Sequence, residues 1–191
     1  MPDPLDLIRE RKSWRVPFDV ERAIPKEDLL RVLEAARWAP SAFNYQPWRF
    51  IYALRDTAQW GPIFEGVKEG NRTWVKDGAA LIVIASAKNA QFPGRDAPGP
   101  NAWHSFDAGS AWISMALQAM HMGLVAHALA GFDPAKIRAA TGLPEEFDIN
   151  AVIVIGKQGD KAKLPEMLQA REAPNDRKPL SAIAFEGKFS A

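Results

Sequence analysis

The apolar positions of this chain fall into short runs with different spacings. Ala80-Leu81-Ile82-Val83-Ile84-Ala85 is almost unbroken, the pattern of a strand buried on both faces. Trp48 to Leu54 is rich in aromatic and β-branched residues and reads as another strand. Leu29, Leu33 and Ala36 recur at helical spacing after Pro25, Glu27 and Asp28 suit the positive helix N-terminus, and Pro40 stops this helix. A shorter amphipathic helix, with Leu5, Leu7 and Ile8 behind Pro4, ends near Ser13. Phe106 to Met122 carries apolar side chains on nearly all sides, so it reads as a helix buried all round, the spine of the core or of a dimer, ended by Gly123. A strand over Leu124 to Ala130, a helix over Pro134 to Thr141 closed by Gly142, and a strand over Ile149 to Ile155 complete the periodic part.

Three stretches break this periodicity. Asp56 to Asp77 is expected to hold two short helices interrupted at Gly61-Pro62 and at Gly70. Lys88 to Asn101 contains Pro93, Gly94, Pro98, Gly99 and Pro100, which makes it a long loop of the kind that often serves as a lid. Gly156 to Ala191 is charged and proline-rich with few apolar anchors, and is expected to wrap onto something else, a partner subunit being the candidate. Helices and strands mix without the regular alternation of a doubly wound parallel sheet, which implies an α+β fold. At 191 residues and 47% hydrophobic, the chain has the size of one domain spanning 1–191.

Charge and composition narrow the chemistry. A net charge of +1 from 24 basic and 23 acidic residues leaves no broad field for nucleic acid or anionic lipid, so any phosphate site must be local. The absence of cysteine removes disulfides, thiolate metal sites and thiol nucleophiles, and fits a reducing compartment. Redox chemistry would therefore need a borrowed cofactor. His104, His121 and His127 lack the close spacing of a metal site, so no metal is expected. The N-terminus mixes charge into every turn, unlike a signal peptide, and no apolar run approaches the roughly 20 residues that span a bilayer. A soluble, cytoplasmic protein is expected. No glycine-rich nucleotide loop is present, which argues against a Rossmann dehydrogenase.

Two constellations could carry function. Arg11-Lys12-Ser13-Trp14-Arg15 gathers three cations and a hydroxyl, a donor set that suits a phosphate monoester, although for this segment alone a solvated basic helix end is the more ordinary explanation. In Trp38 to Trp48 a helix halts at Pro40, and Ser41, Asn44 and Gln46 offer polar partners to a heterocycle, with aromatic residues to cover a ring face. An ordinary helix-to-strand connection explains that stretch as well.

Taken together, with Phe18-Asp19 and the helix at Pro25 between them, these segments resemble the flavin-binding nitroreductase family. Its signature is similar to an Arg-x-Ser-x-Arg run, a Phe-Asp, an amphipathic helix, and Ala-Pro-Ser-x-x-Asn-x-Gln-Pro-Trp. Asn71, Gly131-Phe132-Asp133 and Arg177-Lys178-Pro179 are similar to further family landmarks.

The resemblance implies a mainly antiparallel sheet flanked by helices and an intertwined homodimer, its C-terminal segment exchanged onto the partner and FMN at the interface. Arg11, Lys12, Ser13, Arg15 and Arg177 would approach the phosphate, the ribityl chain and the pyrimidine edge. Asn71 would hydrogen-bond the pyrimidine, and Ala130 and Gly131 would pass close to the ring. Pro40, Ser41, Ala42 and Asn44 would come from the other subunit. The implied activity is ping-pong hydride transfer from NAD(P)H through FMN to a planar acceptor such as a nitroaromatic, quinone or enone, with Phe43 and Trp103 as stacking residues and no protein nucleophile. Ala42 stands where many relatives carry a second serine, and Ala130 where some carry glutamate, so no single relative's substrate transfers directly. Two other classes compatible with these segments are an FMN-binding storage or sensing protein and a polyanion-binding module built on Arg11 to Arg15, the latter with salt-sensitive binding.

Overall fold

The computed structural model describes residues 3–13, 18–164, 166–170, 172 and 175–189. Its centre is a four-stranded antiparallel sheet in the order β1 (Trp48–Leu54), β2 (Ala80–Ala87), β6 (Phe147–Gly156), β5 (Val125–Leu129). β2 runs from Trp48↔Ser86 to Leu54↔Ala80 against β1, and from Ala80↔Ile155 to Ala87↔Phe147 against β6, with an irregularity between Ile84 and Ala85.

Alternation along these strands divides the core into two layers. Ala80, Ile82, Ile84, Ile153 and Ile155 pack with α2 (Lys26–Arg37) and α5 (His104–His121). Leu81, Val83, Val152 and Val154 pack with α3 (Trp60–Glu65), α4 (Glu69–Val75) and α6 (Pro134–Thr141). Helices on both faces explain why β2 reads as a continuous apolar run. Burying each such aliphatic side chain contributes about 1.5–3 kcal/mol. The fold is α+β.

Local signals account for most element ends. Asp133 accepts hydrogen bonds from the Ala135 and Lys136 amides, Pro134 occupies the first turn of α6, and Gly142 closes it at φ 64°. Three expectations are corrected. Gly61 and Pro62 lie inside α3, and Gly70 lies inside α4. Proline is tolerated there because first-turn amides have no intrahelical acceptor. The break falls instead at Gly66–Lys68, where Val67 bridges to Phe132 and the Asp133 amide donates to Gly66 O at 2.8 Å. Lys88 to Asn101 is not wholly irregular, for β3 (Asn89–Ala90) pairs with β4 (Gly99–Pro100) as a small hairpin. Nor is α5 buried all round within one chain. Asp107, Ala108, Ala111, Met115 and Ala119 face inward, while Phe106 is exposed and Ile113 and Leu117 are half-buried.

The ends of the chain are less integrated. α1 (Pro4–Glu10), capped by Asp3, buries no residue. Among the described residues of 175–189 all but Phe185 are exposed, including Leu180, Ile183 and Phe189, and the Phe185 and Phe189 rings meet edge-on at 4.9 Å.

Candidate functional site

The basic segment begins where α1 stops. Arg11 is the extended residue that ends the helix, its amide donating to Leu7 O, and its Nη1 donates to Ser13 Oγ at 3.1 Å. Arg11 Nε is buried without a hydrogen-bond partner among the described residues. Leaving such a donor unsatisfied costs on the order of 1–3 kcal/mol. Lys12 is half-buried and Ser13 exposed, whereas Trp14 and Arg15 lie outside the described residues. Arg177 is exposed and donates to Asn175 O and Asp176 O of its own segment at 3.1 and 3.2 Å.

A second group forms where α4 begins beside the turn from β5 to α6. Gly131 O accepts from the Lys68 amide at 2.9 Å and from Asn71 Nδ2 at 3.4 Å. A Cβ on Gly131 would collide with Asn71 Nδ2. Glycine lets the Asn71 amide sit against the backbone, a reason that adds to the close approach to a ligand implied by the family resemblance. Asn71 is half-buried, and its Oδ1 makes no hydrogen bond among the described residues. Ala130, next to Gly131, is exposed.

The connection from α2 to β1 is held by its own polar groups. Ser41 Oγ accepts from the Gln46 amide at 3.0 Å, and Gln46 Nε2 donates to Asn44 O at 3.2 Å, so these side chains first of all fix the loop. Phe43, Asn44 and Gln46 have φ of 50°, 56° and 50°. Non-glycine residues in this left-handed region cost roughly 1–2 kcal/mol each, asparagine less. Just before the loop, Arg37 holds Glu34 with hydrogen bonds of 2.7 and 2.6 Å, and Trp38 Nε1 donates to Glu34 at 2.9 Å. These two donors, Arg37 first, lower the Glu34 carboxyl to a pKa of about 2.

The loop is also tied to α5. The Ala42 amide lies 3.3 and 3.2 Å from the two carboxylate oxygens of Asp107, a residue only 3% exposed. Ser41, Ala42, Asp107, Trp103 and Phe106 line a small cavity of about 180 Å³, which also touches Pro40. Phe43 does not line it but packs on Tyr45 at 5.5 Å, and Tyr45 in turn meets Phe92 of the 88–101 segment edge-on at 5.4 Å. Three groups thus emerge: Arg11 to Ser13, Asn71 with Gly131, and Pro40 to Ala42 with Trp103. Asp107 was not singled out from the sequence. The available signal was a lone acid in line with Ala111, Met115 and Ala119 on one helical face.

A larger cavity of about 680 Å³ lies between α5 and the β5–β6 edge, walled by Ile84, Ala108, Trp112, Ala128 and Asn150. That size is typical of a small-molecule site. Asn150 Oδ1 is buried there without a partner among the described residues, while its Nδ2 donates to Ser105 Oγ at 3.2 Å. Nearby, Ser86 Oγ and His104 Nδ1 are 2.7 Å apart and Asp148 Oδ2 is 3.7 Å from His104 Nε2. This is not a nucleophilic triad, because Ser86 is fully buried and offers a substrate no approach. No group of three or more metal-ligating side chains occurs among the described residues.

The sequence profile of the nitroreductase family matches residues 8–157. The chain belongs to the nitroreductase family. Protein DrgA of Synechocystis is 30% identical over 185 residues, covering 84% of this chain and 86% of that protein. An NADH dehydrogenase of Thermus thermophilus is 29% identical over 191 residues, covering 85% and 86%. A crystal structure of an oxidoreductase containing FMN is 41% identical and superposes with a TM-score of 0.92, covering 100% of this chain and 95% of that one. The nitroreductase fold and the oxidoreductase class follow. No helix among the described residues is long and apolar enough to cross a membrane.

Proposed function

We propose that this nitroreductase-family chain is an FMN-dependent NAD(P)H oxidoreductase, one domain over 1–191, acting as a homodimer on planar acceptors such as nitroaromatics, quinones or enones. The observation that carries the reading is the Asn71–Gly131 pair. An amide seated on glycine, its carbonyl oxygen unused among the described residues, offers both a donor and an acceptor, which a flavin pyrimidine edge requires.

The remaining donors fit the same group. The buried, unpartnered Arg11 Nε beside Ser13 Oγ matches a phosphate oxygen. Lys12, Arg15 and Arg177 are the further cations assigned to phosphate and flavin edge. When bound, FMN supplies a centre that takes hydride from NAD(P)H and delivers it to an acceptor in turn. The chain's part is to bind, orient and tune. Lys12 or Arg15 would supply the positive charge that stabilises the reduced flavin. Ala130 and Gly131 leave the backbone close to the ring, and Pro40, Ser41, Ala42 and Asn44 close the site from the partner subunit. Trp103 and Phe43, 58% and 73% exposed, stack on the acceptor.

The exposed apolar side chains Leu180, Ile183 and Phe189 of the C-terminal segment support its exchange onto a second copy. A cysteine-free chain is consistent with a cytoplasmic setting. The test is optical. Purified protein should be yellow, bleach under anaerobic NAD(P)H, and recover its colour with a nitroaromatic or quinone. A yellow protein that does not bleach is a flavin-binding protein without turnover, and one that takes up no FMN refutes the reading.

A further inference from the structure

Asp107 is an expensive residue for its place. It is 3% exposed, on the stripe of α5 that continues through Ala111, Met115 and Ala119, where an apolar side chain would pack without desolvation cost. Its carboxylate is directed at the Ala42 amide, 65 positions away in sequence, with both oxygens within 3.3 Å. It also lines the small cavity beneath Trp103 and Phe106. The loop it grips holds three non-glycine residues at positive φ, a conformation that persists only when surrounding contacts impose it.

We infer that Asp107 is a positioning residue, which pins the Ala42 amide and so holds Ser41 to Asn44 in the conformation that meets the ligand. The ligand's identity rests on the FMN reading above, whereas the pinning does not. An accepting oxygen, rather than a charge, is what the contact needs. A simpler role is electrostatic: an acid in the first turn of α5 complements the helix dipole. The two roles part on Asp107→Asn, which keeps an accepting oxygen and loses the charge.

The experiment compares the full-length wild-type chain, Asp107→Asn and Asp107→Leu, without FMN by NMR-detected amide exchange and with FMN by quenching of flavin fluorescence. Pinning predicts slow Ala42 exchange in wild type and Asp107→Asn, and exchange about tenfold or more faster in Asp107→Leu. The FMN dissociation constant should rise by about tenfold in Asp107→Leu and stay close to wild type in Asp107→Asn. If Asp107→Leu does not fold, Asp107→Ala carries the same expectations. Unchanged Ala42 exchange in the apolar variant, or equal losses in Asn and Leu variants, overturns the inference. Should wild type bind no FMN, the proposed function fails, and the exchange data still decide the role of Asp107.

Discussion

Replacing Gly131 with alanine isolates the contact on which the cofactor reading rests. The Gly131 φ lies outside the left-handed region, so alanine imposes no backbone strain and should stabilise the fold by about 0.4–1 kcal/mol through the unfolded chain. Against this, the new Cβ meets Asn71 Nδ2, the far end of a flexible side chain, and displaces it from Gly131 O. Losing that hydrogen bond costs about 0.5–1.5 kcal/mol. The two contributions nearly cancel, so the melting temperature should move by only a few degrees. Ligand binding has no such compensation. If Asn71 is turned from the flavin and one neutral hydrogen bond is lost, FMN should bind roughly two- to twelvefold more weakly. Fluorescence titration gives the dissociation constant and thermal denaturation the stability. In an Asn71→Ala background, Gly131→Ala should cost less affinity than it does alone, since the two share the Asn71 amide as one route of action. Unchanged FMN affinity in Gly131→Ala, or a stability loss above about 3 kcal/mol, would refute the reasoning.

Combining Arg11→Ala with Arg177→Ala should abolish FMN retention while circular dichroism and size-exclusion chromatography still report a folded dimer; stoichiometric FMN in that variant would remove both residues from the phosphate site. Glu34, with its carboxyl lowered to about 2 from an ordinary 4.5, contributes stability that is complete above pH 4.5 and lost as pH falls toward 2. Glu34→Gln should abolish the pH-dependent movement of the Trp38 indole N–H resonance in that window, and a shift that persists would place its origin elsewhere. Met115→Ala, at a fully buried position on α5, should lower stability by about 2–5 kcal/mol in urea unfolding, whereas a change below 1 kcal/mol would mean that the core layer re-collapses around it.

What could be read in the sequence was whatever periodicity or capping chemistry states locally. The β2 run and the Asp133-Pro134 to Gly142 frame of α6 each carry their own instructions, and both stand where expected. Gly61-Pro62 misled because a proline in a first helical turn and a proline that ends a helix look alike until the turn is located. The two-sidedness of α5 was hidden because alanine, methionine and leucine do not by themselves distinguish a buried face from an exposed one.

The same asymmetry runs through the site. Arg11 to Ser13 and the Pro40 to Trp48 stretch were visible as local groups, but their chemistry depends on distant contacts that no spacing rule contains. The Asn71 amide, 60 positions earlier, sits on Gly131, and the Ala42 amide meets a carboxylate 65 positions later. The absence of a serine hydroxyl at Ala42 therefore means less than it first suggests, because the contact with Asp107 at that position is made by its main-chain amide. The specificity of this chain should thus be sought in the exposed side chains at that loop, Trp103, Phe106 and Phe43, none of which takes part in the hydrogen bond between Ala42 and Asp107.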